Sequence, residues 1–138
     1  MKTRILAALA IFCFSAVFAA GPEKITDINA ALEKAKAENK MIFLQYGREA
    51  CGNCQALKSY VKSHDLRLSE SKFVYADVNC DDPATSKLFR EKFKVSGGML
   101  PFVVVAGPDG TQLASRAGYG TVKEYEDLLR DAQKALKK

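Results

Sequence analysis

Three short and nearly continuous apolar runs limit this chain more than any other feature: Met41–Tyr46 (MIFLQY), Phe73–Val78 (FVYADV) and Phe102–Ala106 (FVVVA). A strand with one wet face alternates apolar and polar residues. Runs of this kind suit strands covered on both faces. The segments between them carry helical spacing. Ile28, Ala31, Leu32 and Ala35 recur over a helix to about Glu38, with Thr26 as the expected N-cap, Asp27 in the first turn and Asn39 as the stop. Cys51, Cys54, Leu57 and Val61 make a second stripe, ending near His64, after a loop from Gly47 to Ala50. Asn79–Pro83 reads as a turn, and Ala84–Phe93 as a helix presenting Leu88, Phe89 and Phe93. Gly107-Pro108-Asp109-Gly110 is a turn signal that returns Thr111–Ala117 as an antiparallel partner. Thr121 caps a last helix whose apolar side holds Val122, Tyr125, Leu128, Leu129, Ala132 and Leu136. Strand–helix–strand units imply parallel pairing. The expectation is an α/β fold with a central mixed sheet of about four strands and helices on both faces.

Composition narrows the function classes. At 138 residues, 48% apolar and 27% charged, the chain has the make-up of one globular domain, which excludes disorder and fibrous repeats. Met1–Ala20 has two cations, Lys2 and Arg4, then sixteen residues from Ile5 in which only Ser15 is polar, and Gly21-Pro22 breaks the run. This is the pattern of a secretory leader, with cleavage expected near Ala19 or Ala20 and a mature domain over residues 21–138. The protein is thus expected to be periplasmic or secreted. The alternative is an uncleaved anchor, since the run is only slightly short of the ~20 residues a spanning helix needs. Without the leader, 19 cations stand against 16 anions with no basic cluster, and no nucleic-acid partner is expected. Four Cys are too few for a disulfide scaffold. Cys13 leaves with the leader, and the remaining three, Cys51, Cys54 and Cys80, make an odd count in an oxidising compartment.

The chemistry is concentrated in Cys51-Gly52-Asn53-Cys54, placed where a buried strand hands over to a helix. A sulfur at a helix start faces unsatisfied backbone N–H groups, which favour the thiolate, the attacking species in disulfide exchange. The second sulfur lies one turn on and can close the pair. Cys51 is the candidate nucleophile and Cys54 the resolving thiol. Three other readings exist for such a pair. Zinc wants a second ligand pair, and only Cys80 and His64 are available. Haem attachment needs His at position 55, which is Gln. A purely structural disulfide closes so short a loop that it restrains the unfolded chain little. No metal or organic cofactor is expected.

The residues quoted resemble the thioredoxin-like superfamily, and within it the small exported members, similar to the C-terminal domain of the bacterial membrane thiol–disulfide interchange protein. The likeness runs from about Ile25 to Lys134. It is carried by the strands at Met41–Tyr46 and Phe73–Val78, the Cys51–Cys54 motif, Leu100-Pro101 heading the next strand, the Pro-Asp-Gly hairpin and Gly118-Tyr119-Gly120. The resemblance implies a cis Leu100–Pro101 bond packed against the Cys pair, with the nearby backbone guiding an extended substrate; a trans proline opening a strand is the alternative. It implies a monomeric enzyme that exchanges disulfides with envelope proteins, more in the reducing direction than the oxidising one, and takes electrons from a membrane or soluble thiol donor. Other uses of the fold are a copper(I)-holding chaperone, a non-catalytic binding module and an inert domain with a permanent staple.

Three departures stand out. Ala50 replaces the Trp that many thioredoxins carry before the first Cys, and Gly52-Asn53 replaces Gly-Pro. Gln45 stands where thioredoxin has a buried Asp that helps deprotonate the second Cys, so either Glu49 or water does that task or the second proton transfer is slow. Cys80 ends a parallel strand at the edge where such sheets place their sites. It is read three ways: a third redox thiol, a link between chains, or a small residue at a strand end. His64 is expected on the surface near a helix end, while Tyr46 and Tyr119 either line the groove or pack.

Overall fold

The computed structural model describes residues 22–138. The leader, its cleavage site and the anchored alternative lie outside these residues. Among them the chain forms β1 (Lys24–Ile25), α1 (Ile28–Glu38), β2 (Met41–Gly47), α2 (Gly52–Lys62), β3 (Phe73–Asn79), α3 (Pro83–Lys92), β4 (Phe102–Ala106), β5 (Gln112–Ala117) and α4 (Val122–Leu136). The strands make one sheet in the order β1-β3-β2-β4-β5. β1, β3 and β2 run parallel, whereas β4 and β5 are antiparallel additions. The sheet thus has five strands where about four were expected. β1 has only two residues, too few to show any period in the sequence.

All seven residues of β2 and all five of β4 are buried. Helices cover both faces because two apolar faces must leave water. Beneath α1 and α3 lie Ile42, Leu44, Tyr46, Val74, Ala76, Val78, Phe102 and Val104; beneath α2 and α4 lie Phe43, Phe73, Tyr75, Val103 and Val105. On the first face Phe89 stacks on Tyr46 with ring centroids 4.2 Å apart and meets Phe102 edge-on at 6.1 Å. Tyr46 is therefore core packing, and its hydroxyl bonds Ser86 at 2.7 Å.

Helix ends differ from the expectation by a residue, for reasons of capping. Asp27, not Thr26, caps α1: its carboxylate accepts the Ala30 N–H at 2.8 Å. Asn39 ends that helix in the left-handed region at φ 52°, as a short polar side chain tolerates. α3 starts at Pro83, one residue before Ala84, because Asp82 accepts the Thr85 N–H at 2.8 Å and proline fits a first turn that needs no N–H. Thr121 and Glu124 form a reciprocal capping box on α4. Leu136, expected on the buried face of α4, is 47% exposed.

The register settles where a site can lie. Tyr46 pairs with Phe102, and Phe102 with Ala117. Residues leaving β2, entering β4 and leaving β5 therefore meet at one end of the sheet. The Gly118 N–H donates to the Pro101 carbonyl at 3.0 Å across that end.

Phe89→Ala removes a fully buried ring with three aromatic neighbours; urea unfolding is expected to show a loss of about 3–5 kcal/mol. The caps respond to pH. Hydrogen bonds from the Thr85 side chain and backbone hold the Asp82 carboxyl below the usual carboxylate range. A depressed folded pKa gives stability that is present above the unfolded value and lost as pH falls through the folded one. Asp82→Asn keeps a capping side chain without the charge. Its thermal midpoint is expected to fall less than that of the parent as pH drops below about 4.

Candidate active site

Cys51 is the N-cap of α2, with φ −91° and ψ 109°, and its sulfur accepts the Cys54 N–H at 3.1 Å. The sequence puts it there because Gly47 ends a buried strand and the apolar stripe of Cys54, Leu57 and Val61 must turn inward on the next helix. The two cysteines are joined as a disulfide with Cα atoms 5.2 Å apart. They differ in access. Cys51 is half-buried beside the exposed Gly52 and Asn53, whereas Cys54 is 0% exposed. The helix N-terminus thus favours a thiolate at the sulfur that a partner can reach, while the second sulfur is held inside.

Gly47 makes this burial possible. A Cβ on Gly47 would lie 2.6 Å from Cys54 Sγ, so the thiol packs directly on bare backbone. Gln45, one strand repeat earlier on the same face, is 0% exposed. Its amide Nε2 donates to the Cys54 carbonyl at 2.9 Å, and its Oε1 accepts the Tyr75 hydroxyl at 3.3 Å. Burial pushes the Tyr75 phenol well above its usual range, with the charge of Asp77 adding to it, so Tyr75 stays a donor. Gln45 therefore ties α2 to β2 and has no ionisable group.

Pro101 is buried and follows a cis Leu100–Pro101 bond. The resemblance implied that cis bond; Pro101 stands at the end of the sheet where β2 hands over to α2, and Leu100 beside it is partly exposed. Met99, 65% exposed, lies against Gly118, and Tyr119 is 41% exposed. Tyr119 and Tyr60 of α2 share a hydroxyl–hydroxyl hydrogen bond, with ring centroids 6.1 Å apart. Tyr119 thus borders this end of the sheet and pins it to α2. Its partner is 59 residues away in sequence, which no local pattern signals.

Cys80 is not brought to the pair's side of the sheet. Its thiol packs with the cluster under α1 and α3, whereas Cys54 sits over Gly47 on the α2 face. Its backbone N–H continues the ladder to the Gly47 carbonyl at 2.8 Å. By the alternation of strand faces, Cys80 and Cys54 turn to opposite sides of the sheet. Arg48, paired with Asp81 at 3.2 Å, is the charged neighbour of Cys80. His64 follows α2 on the surface at φ 62°. Among the described residues no three His, Cys, Asp or Glu side chains converge to hold a metal.

Beside Gly47 opens a polar cavity of about 240 Å³, lined in part by Glu49, Lys58, Asp77 and Asn79. Glu49 is exposed; its carboxylate accepts bonds from Lys58 at 2.9 Å and Gln55 at 2.8 Å, which hold it below the usual carboxylate range. Asp77 is 8% exposed and pairs with Lys58 at 3.0 Å and more loosely with Lys24 at 3.8 Å. Burial alone would push the Lys58 ammonium down, but its bonds to Glu49 and Asp77 outweigh it and keep it charged. Sequence reading missed this pair. The signal was present: Asp77 is the single charge inside an otherwise apolar strand run, and a buried charge needs a partner.

The profile of a family described as thioredoxin-like domain matches residues 28–133. No curated protein matches the chain. Among solved structures, a thioredoxin from Thermus thermophilus is similar at 24% identity and TM-score 0.66, over 82% of this chain and 88% of that one. A single-site mutant of a thioredoxin from Halobacterium salinarum gives 19% identity and TM-score 0.60, over 81% and 90%. The germline-specific thioredoxin Deadhead of Drosophila melanogaster gives 25% and 0.59, over 78% and 96%.

Gly47→Ala places a methyl group 2.6 Å from the sulfur of the fully buried Cys54, so one of the two must shift. A loss of about 1–3 kcal/mol is expected on denaturant unfolding of the oxidised protein. The fraction of closed Cys51–Cys54 disulfide in graded thiol buffers is expected to fall with it.

Proposed function

The chain belongs to the thioredoxin-like family, and on that premise we propose that it is an exported thiol–disulfide oxidoreductase that reduces disulfides of envelope proteins. One observation carries the reading: a reachable sulfur caps α2 while its partner, one turn behind, is sealed from solvent. In the reduced protein the Cys51 thiolate attacks a substrate disulfide. A mixed disulfide forms and the first substrate sulfur leaves with the electron pair. Cys54 then attacks Cys51 Sγ, closes the internal disulfide and releases the second substrate sulfur. A dithiol partner, membrane-bound or soluble, returns the protein to its reduced state.

Pro101 and the backbone at Leu100 supply the guiding edge. Both lie where β4 begins, at the same sheet end as α2, and a proline there presents no N–H that would compete with an extended substrate. Export is supported by the leader pattern of Met1–Ala20. The preference for reduction rests on the likeness to exported reductants, with substrates and donor both proteins bearing thiols.

Cys54→Ser, produced with its leader, is expected to accumulate mixed disulfides with envelope proteins on diagonal gels, and Cys51→Ser to accumulate none. Absence of trapped species in the first variant would overturn the exchange mechanism. The potential of the purified domain separates the directions. A value near about −270 mV fits a reductant and one near about −120 mV an oxidant; a pair still closed well below about −300 mV is a structural staple.

A further inference from the structure

Closing the disulfide requires the Cys54 thiol to lose a proton, yet its sulfur is fully buried, and the side chain beneath it on β2, Gln45, cannot accept one. Asp77 is the one buried carboxylate among the described residues. It stands on β3 in direct register with Gln45, while Gly47, on which the Cys54 sulfur rests, and Asp77 line the same polar cavity. We propose that Asp77, held in place by Lys58, takes the Cys54 proton through water in that cavity as Cys54 attacks the mixed disulfide. The inference rests on the exchange reading above.

The cavity is roomy and polar enough to admit water. Lys58 lies one helical turn beyond Cys54, so the same face of α2 carries the thiol and the ammonium that positions the carboxylate. The charged and titratable groups around Asp77 are Lys58 on α2, Lys24 on β1, Tyr75 on β3, and Glu49, Arg48 and Asp82 at the cavity rim. Glu49 is the weaker candidate: it is exposed, and its carboxylate is already engaged by Lys58 and Gln55. The step balances. The proton passes from Cys54 Sγ to the Asp77 carboxylate, the Cys54–Cys51 bond forms, and the Cys51–substrate bond breaks. The substrate sulfur leaves with the electron pair and is protonated by solvent, and Asp77 later returns its proton to solvent.

The reduced purified domain carrying Cys80→Ser, which removes the one other free thiol among the described residues and serves as the parent, is mixed with an aromatic disulfide, 5,5′-dithiobis(2-nitrobenzoate), whose two coloured thiols report the attack of Cys51 and then of Cys54. Asp77→Asn is expected to leave the first release near its normal rate. It is expected to slow the second at least about tenfold near pH 7, the gap closing as pH rises and hydroxide takes over. Asp77→Glu is expected to restore part of the rate, and Glu49→Gln to slow the second release less than Asp77→Asn does. Equal second-release profiles in parent and Asp77→Asn, or a larger effect from Glu49→Gln, would overturn the relay. If the parent itself gives no first release, the exchange reading fails instead. A second measurement then tests the coupling without turnover. In Cys51→Ala combined with Cys80→Ser, where Cys54 is the remaining thiol of the domain, the thiolate absorbance is expected to titrate roughly one unit lower once Asp77 is Asn, because a neighbouring negative charge is gone. An unmoved titration overturns the relay whatever the activity.

Discussion

β2 is bonded to a strand on each side, β3 and β4, and is apolar toward both sheet faces. Every other element answers to that double burial. Its backbone groups need strands at both edges and its side chains need helices above and below. α1 and α3 take one face and α2 and α4 the other. Along the strand itself no room remains for chemistry. Only at its end does the backbone come free, and there the chain turns into α2 through Cys51. Since β4 runs antiparallel to β2, the segment entering it, Leu100-Pro101, arrives at the same end. The site is a consequence of how the core closes.

The two sulfurs illustrate how one local geometry yields two environments. A helix start offers unpaired N–H groups and positive potential to the residue that caps it, and that position is necessarily at the surface. Three residues on, the helix has turned its apolar stripe inward, so Cys54 faces the sheet. The sulfur can fit there only because Gly47 has no side chain. Access and burial thus follow from the helical period together with the bare backbone at Gly47, and the order of attack and resolution proposed above is the one that access favours.

The three buried strands were legible because each is a run of apolar residues bounded by breakers, and the Cys pair because its members are neighbours in sequence. Helix starts shifted by one residue where a nearer acceptor won, as Asp27 did over Thr26. What sequence did not disclose depends on how elements sit across one another. The face of the sheet to which Cys80 turns depends on which helices cover which face, and that topology is a tertiary outcome. The Tyr60–Tyr119 contact joins α2 to the loop before α4. The Lys58–Asp77 pair likewise needs α2 to lie across β3 at one rotation. Gln45 was visible as a departure; its double role, donating to Cys54 and accepting from Tyr75, was not.

The placement of the buried charge has its own logic. A carboxylate at position 45 would sit in the central strand, with β3 and β4 on either side and α2 above, and would lose its hydration there. Gln45 avoids that cost, since its amide is satisfied by one carbonyl and one hydroxyl. One strand over, β3 is flanked by β1, which is only two residues long. That short cover leaves the end of β3 close enough to solvent for long side chains to arrive from two directions. Lys58 comes from the helix and is 19% exposed, and Lys24 comes from the edge strand and is 49% exposed. Each buries its stem and keeps its ammonium near water. The negative charge at Asp77 thus has two cations near water to answer it. The shortness of β1, which made it invisible in the sequence, is what lets the sheet hold a carboxylate beside the site.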